Sequence, residues 1–257
     1  MIAGLILAST TAFLLSTTRY RLDADARAEA RQGLEATLDS LARELRVGGA
    51  CLPTLGTFVA IAGVDDGDSD ELTVRTGLLD SNRTCIRTTL REEMPSDATE
   101  LELESAAGFE EGMHVYLRHP NGSGEFFVIR RVQGDDMIET EDASSKDYPA
   151  VDTGVFAFQE RRFAIDRTGA RPFLSLAING GTPLPVADGI ETLNVRYRLK
   201  RNCPPCDTVD LPADDAEWRL VTSVSAAATA AIAPAGRSGD DYSVSSMLVV
   251  KPRNLLP

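Results

Sequence analysis

Residues 1–47 read MIAGLILASTTAFLLSTTRYRLDADARAEARQGLEATLDSLARELRV, and their reading decides the fold. The first fifteen residues carry no charge. From Arg19 onward charge is dense but helically patterned. Leu34, Leu38, Leu41 and Leu45 step by four, three and four, which puts them on one helix face. Ala26 and Ala30 extend that face backwards, and Arg and Glu fill the other side. Gly48-Gly49 and Pro53 end the pattern. The stretch therefore predicts one unbroken helix of roughly 70 Å at 1.5 Å per residue. Such a helix outruns any domain this chain could build around it, so part of it has to pack on something else.

Charge within that helix is balanced. Arg19, Arg21, Arg27, Arg31, Arg43 and Arg46 face Asp23, Asp25, Glu29, Glu35, Asp39 and Glu44 in number. The net charge of −13 over 257 residues therefore lies wholly after residue 47. An acidic body argues against nucleic-acid binding, which depends on Lys and Arg neutralising phosphates. It suits a soluble extracytoplasmic domain.

The apolar start, Ile2 to Leu15, is about fourteen residues long, whereas a membrane-spanning helix needs about twenty. A secretory signal would show a basic region before the apolar run, and none precedes Ile2. A buried core helix would not carry its pattern so far onward. The reading preferred here is a membrane helix whose first turns are absent from the sequence.

Beyond Cys51 the helical period disappears. Phe58–Ala62, Leu72–Thr76 and Thr84–Leu90 read as short strands between Gly and Asp clusters. Residues 98–159 read as an inserted β-rich module, with strands Met113–Arg118 and Glu125–Val132 joined by the hairpin turn His119–Gly124, then Met137–Thr140 and Gly154–Phe158. This spacing suggests a small, partly closed barrel. Further strands are expected at Arg161–Asp166, Pro172–Ile178, Gly189–Leu199, Trp218–Ser225 and Tyr242–Lys251. The small-residue run after Ser225, AAATAAIAPAGRSGDD, reads as a loop that begins with a helical turn. The fold class expected is α+β. A helix (1–50) packs on an antiparallel sheet domain (51–97 and 160–257), and 98–159 is inserted into it.

Four cysteines allow three pairings. Cys51–Cys85 and Cys203–Cys206 are favoured because each is local in sequence, and they imply an oxidising compartment. Cys203-Pro-Pro-Cys206 also has the C-x-x-C spacing of redox motifs, but it follows a strand instead of opening a helix. Zinc would need a second ligand pair, from Cys51 and Cys85. Asp66, Asp68 and Asp70 alternate like the first ligands of a calcium loop, but Glu71 and Gly77 stand where that loop needs Gly and Glu. His114 and His119 are the only histidines, and they read as strand and turn residues. No nucleophile-elbow, zinc-helix or phosphate-loop motif is present. No enzyme activity, cofactor or metal is expected.

Three stretches carry a resemblance. They are GLILASTTAFLLSTTRYRLDADARAEARQGLEATLDSLARELRVGGACLP (4–53), VADGIETLNVRYRL (186–199) and YSVSSMLVVKPRNLLP (242–257). Together they resemble type IV pilin-like proteins, and among those the minor pilins of the PilW type. GspJ-type pseudopilins of type II secretion share the plan. The 98–159 module lies outside the resemblance. The family carries a basic leader and then Gly followed by Phe-Thr-Leu-x-Glu, with cleavage after that Gly. This sequence holds neither. Set against the family, it lacks about eight to ten mature residues, whose addition would lengthen the apolar run to about 22–25, enough to span a bilayer.

The resemblance implies a minor pilin that primes pilus assembly at or near the tip, with other minor pilins, the major pilin and a tip adhesin as partners. It implies the inner membrane before assembly, with the bulk in the periplasm, and the extracellular pilus after it. Residues 1–18 would serve membrane and filament core through Ile2, Leu5, Ile6, Leu7, Phe13, Leu14 and Leu15. Residues 19–47 would present Leu34, Leu38, Leu41 and Leu45 to the β-domain. The alternatives in this frame are a type II secretion pseudopilin and a membrane-anchored extracytoplasmic β-rich binding domain.

Overall fold

A computed structural model describes residues 2–54, 56–201, 206–232, 242–252 and 254, with backbone alone for 2–9, 12 and 242. Helix α1 runs unbroken over Ile2–Val47. Its stop is local chemistry. Gly48 N donates to Glu44 O, and Gly49 adopts a left-handed φ of 78° while its N–H donates to Arg75 O at 2.9 Å. A side chain at Gly49 would also press on Asn254 O, 3.1 Å from an added Cβ.

Strands follow as β1 (Ile61–Asp65), β2 (Asp70–Gly77), β3 (Arg87–Thr89), β4 (Glu100–Glu102), β5 (His114–Arg118), β6 (Gly124–Gln133), β7 (Met137–Thr140), β8 (Gly154–Asp166), β9 (Phe173–Ile178), β10 (Leu184–Asp188), β11 (Ile190–Leu199) and β12 (Thr208–Val209). A single-turn helix α2 (Asp215–Trp218) precedes β13 (Val221–Ile232) and β14 (Tyr242–Val250). All assigned pairings are antiparallel. The larger sheet runs β1-β2-β8-β5-β6-β7-β4, with β3 and β9 also on β8 and β10 on β9. The smaller runs β12-β11-β13-β14. The protein is therefore α+β: one long N-terminal helix and antiparallel sheets.

Several elements depart from the sequence expectation. The run after Ser225 is not a loop with a helical turn. β13 continues to Ile232, and Ala226, Ala228 and Ala230 are buried beneath α1. Alanine is a poor strand former, but its lack of bulk lets the helix approach the sheet closely, and packing overrides propensity. Gly154–Phe158 and Arg161–Asp166 are one strand, not two. β8 pairs with β5 and β3 through its first half and with β2 and β9 through its second. The first strand after the helix also begins later than expected, at Ile61.

The hydrophobic interior forms two main clusters. One joins Leu34, Leu38, Leu41 and Leu45 of α1 to Leu72, Val74, Phe163, Leu174 and the inward rows of β11 and β13. The other, from Ile86 to Ala157, lies among β3 to β7 and the start of β8. The assigned strand order around it stays open. Links nevertheless run from the end of β3 to β4: Arg91 N donates to Glu102 O at 2.8 Å and Glu104 N to Thr89 O at 3.0 Å. A third, aromatic cluster of Phe58, Tyr116 and Phe158 bridges the two.

Candidate assembly surface

α1 divides into two surfaces of opposite character. From Ala30 to Val47 it lies on β13 and β14 and touches β10 and β2. Leu34, Leu41 and Leu45 are fully buried there, with Leu38, Ala42 and Thr37 beside them. Thr37 satisfies its hydroxyl on Gly33 O at 2.8 Å, the backward bond a helix offers a buried threonine. Glu44 pairs with Arg161 on β8, which fixes the rotation of the helix over the sheet. Four buried leucines at roughly 1.5–3 kcal/mol each make this half of the helix inseparable from the body.

The other half has no such partner. Among the described side chains between Thr10 and Glu29, only Thr17, Asp23 and Ala26 are even half-buried. Phe13 is 70% exposed, Leu14 64%, Leu15 55% and Tyr20 77%. Ile2 to Asp25 spans about 36 Å at 1.5 Å per residue, and Ala26 and Glu29 mark where the helix meets the body, beside Arg171 and Asp188. Ser16, Thr17 and Thr18 return their hydroxyls to the carbonyls of Phe13 and Leu14, so the polar interruption after Leu15 costs no unsatisfied donor. Consecutive exposed Phe13, Leu14 and Leu15 on a rigid rod form an apolar surface that water disfavours. Its chemistry is that of burial in lipid or among other helices. The side chains of Ile2, Leu5, Ile6 and Leu7 lie outside the described residues, although the backbone there is helical. No helix among the described residues is long and apolar enough to cross a membrane.

The base of the helix is fastened three ways. Cys51 is bonded to Cys85, Gly77 N donates to Ala50 O at 2.8 Å, and Gly49 N reaches Arg75 O. The Cys203–Cys206 pairing falls on Cys203, which lies outside the described residues. With Cys51 and Cys85 in a disulfide, the zinc set that would have used them is not available.

Among solved structures, a type IV-like pilin from Thermus thermophilus is similar to this chain. The match covers 88% of this chain and 98% of the pilin, at 12% sequence identity and a TM-score of 0.40. No protein-family model and no curated protein matches the sequence.

The remaining sequence candidates take structural roles. The calcium-like carboxylates do not converge: Asp66 and Asp68 are exposed on the turn, and Asp70 Oδ2 accepts from Val195 N. Asp65 Oδ1 instead caps the turn by accepting from Gly67 N at 2.9 Å. Among the described residues no group of three acidic, His or Cys side chains could hold a metal. Ser69 and Asp70 join the two sheets. Leu193 N donates to Ser69 Oγ at 3.0 Å, and Ser69 Oγ donates on to Leu193 O. Burial raises the Asp70 pKa above the usual carboxylate range, the Val195 bond offsets part of that, and Asp65 and Asp210 add to the rise. His114 lies edge-on to Phe158, and burial lowers its pKa. His119 Nδ1 accepts from Asn121 N in the hairpin turn.

The sequence reading missed the Tyr197 stack. Tyr197 is buried edge-on to Trp218 with ring centroids 4.7 Å apart, and Tyr197 Oη finds no hydrogen-bond partner among the described residues. Gly63 makes room for it, since a Cβ there would stand 2.2 Å from Tyr197 Oη. The alternation of β11 carried the signal that Tyr197 points inward. Nothing in the sequence placed Gly63 against it.

Proposed function

We propose that this chain is a pilin-type structural subunit, a minor pilin of a type IV pilus related to the PilW type, and that it has no catalytic role. The observation that supports this reading is the divided helix. Its C-terminal half is locked into the protein's own sheet, while its N-terminal half projects with Phe13, Leu14 and Leu15 bare. A rod of that kind serves two environments in turn, the inner membrane before assembly and a bundle of other subunits' helices after it. In this reading Ile2, Leu5, Ile6, Leu7, Phe13, Leu14 and Leu15 are filament-core residues, and the partners are the other minor pilins, the major pilin and a tip adhesin. Residues 98–159 form an inserted barrel-like module carried outward by the sheet domain. The apolar cluster built mostly from its residues, joined by Ile86, Leu90 and Met94 from before it, and the links from β3 to β4 support that part.

The test is fractionation of native cells with antibody raised against the β-body. The chain is expected in the inner-membrane fraction and in filaments sheared from the surface, and Leu14→Asp with Leu15→Asp is expected to remove it from the filaments. Absence from sheared filaments together with recovery in a secretion assembly would favour the pseudopilin reading. Recovery as a freely soluble protein in both would overturn the proposal.

A further inference from the structure

Two stretches of the chain have the acceptor pattern for sugar on asparagine, an Asn with Ser or Thr two residues later and no proline between: Asn82-Arg83-Thr84 and Asn121-Gly122-Ser123. The pattern is short and recurs by chance, so local geometry has to decide what each can do. Transfer needs an asparagine amide open to solvent on a surface segment that a large transferase can lift and grip.

Asn121 is held on every side. Its Oδ1 accepts from Ser123 N at 2.9 Å and from Ser123 Oγ at 2.8 Å, so amide and hydroxyl are engaged with each other. Ser123 Oγ also accepts from Lys146 Nζ at 2.9 Å. The backbone is pinned to a second loop: Thr57 N donates to Gly122 O at 2.7 Å, and a Cβ on Gly56 would stand 2.1 Å from that same oxygen.

Asn82 is placed differently. Leu79 and Cys85 form an antiparallel bridge, and residues 80–84 make the tip beyond it. Asp80 N donates to Thr84 O at 2.9 Å and Arg83 N to Asp80 O at 3.0 Å. Asp80 Oδ1 completes the turn by accepting from Asn82 N at 2.9 Å and Thr84 N at 2.8 Å. All four bonds lie within the tip, so it can open without breaking a contact to the body. Ser81, Asn82, Arg83 and Thr84 are exposed, and neither the Asn82 amide nor the Thr84 hydroxyl bonds to a described residue. Cys85, next in the chain, is bonded to Cys51, which puts this surface in an oxidising, extracytoplasmic compartment.

We propose that Asn82 is the acceptor for an N-linked oligosaccharide, and that Asn121 stays bare. The donor class is an oligosaccharide carried on a lipid diphosphate, used by a membrane-bound transferase. Asn82 Nδ2 bonds to the anomeric carbon of the first sugar. The bond from that carbon to the diphosphate oxygen breaks, and the lipid diphosphate leaves with the electron pair. One amide proton passes to a base of the transferase, and nothing is oxidised or reduced. The product sets a bulky, hydrated group near Leu79, which is 53% exposed. The site requires only that the body lies outside the cytoplasm, so it stands apart from the question of where the helix packs.

The experiment uses the full chain purified from native cells, reduced, and weighed intact and as peptides by mass spectrometry. The peptide spanning residues 80–84 is expected to carry a glycan increment with sugar fragment ions. Asn82→Gln and Thr84→Ala are each expected to lose the whole increment, Thr84→Ser to keep it, and Asn121→Gln to leave it unchanged. Near-ultraviolet circular dichroism verifies folding, and should Asn82→Gln disturb the tip, Thr84→Ala keeps the asparagine and carries the test. A bare 80–84 peptide from native cells, an increment that survives Asn82→Gln, or one that disappears with Asn121→Gln would each overturn the proposal. Bare Asn82 on a chain recovered in sheared filaments would sink the site and leave the filament reading standing. A glycosylated chain missing from the filaments would support the site and count against that reading.

Discussion

Removing the Cys51–Cys85 disulfide tests how the helix base is held. The two residues are 34 apart in sequence. The loop-entropy relation gives about 12.6 cal/mol/K for a loop of that size, or about 3.8 kcal/mol at 298 K. That figure is a property of the unfolded chain and applies only if the native base survives without the bond. The structure says that it does. Gly77 N still donates to Ala50 O, Gly49 N to Arg75 O and Leu78 N to Ala157 O, and Leu72 and Val74 stay within the cluster that contains the helix. Cys51 itself sits at a φ of 61°, and alanine there keeps the same Cβ, so Cys51→Ala adds no new backbone strain. The double variant Cys51→Ala with Cys85→Ala is therefore expected to lose about 3–4 kcal/mol. At an m-value of about 2–3 kcal/mol/M, the urea midpoint should fall by about 1–2 M. The m-value should rise, because the freed chain exposes more surface on unfolding. Circular dichroism should show helix content unchanged before the transition. A midpoint shift under about 0.5 M would refute the reasoning, and so would loss of helix at zero denaturant, which would mean that the bond templates the base instead of constraining the unfolded state.

Other outcomes follow from single sites. Leu41→Ala removes a fully buried side chain between α1 and the sheet and should cost about 2–5 kcal/mol in urea melts, whereas Leu15→Ala, on the projecting half, should leave the midpoint unchanged. Gly77→Ala would set a Cβ 2.6 Å from Cys51 Cβ and 2.8 Å from Ala50 O, and it should destabilise by about 1–3 kcal/mol. Burial raises the pKa of Tyr116, Tyr148 and Tyr197, with Glu125 adding to the rise at Tyr148 and Asp70 at Tyr197. Their folded values lie above the unfolded value of about 10, so this contribution is complete below that pH and is lost as pH climbs toward the folded values. Urea midpoints should fall above about pH 10, and phenolate absorbance of the native protein should lag that of the unfolded chain. Equal titration in both states would contradict the burial.

The helix was legible because two independent signals agree on it. Its apolar period needs only local counting, and its stop is written in Gly48-Gly49. The leucines at 34, 38, 41 and 45 could be assigned to one face because a helix face is fixed by spacing alone. β13 was not legible for the opposite reason. Ala226, Ala228 and Ala230 gain their place from the closeness of α1, a fact about tertiary distance that three alanines cannot signal. β8 was read in two pieces because its halves serve different neighbours, β5 and β3 first, β2 and β9 after, so no single alternation runs through it. The assembly surface was legible on its helix side, where charge and apolar runs are contiguous. The Gly63–Tyr197 contact was not, since it forms only where β1 meets β11 across the two sheets.

That asymmetry bears on how such a subunit can be specific. The projecting apolar run offers burial without direction, since Phe13, Leu14 and Leu15 would satisfy many helical neighbours equally. Direction has to come from groups whose misplacement carries a cost. On this chain the charged groups held in fixed positions lie on the body, where Glu44 with Arg161 and Arg75 with Glu160 are examples. A net charge of −13 carried by the body disfavours contact between two bodies. The balanced charge of the helix and the surplus acid of the body thus act together: the first keeps the rod soluble along its own sheet, and the second leaves few orientations in which two copies attract.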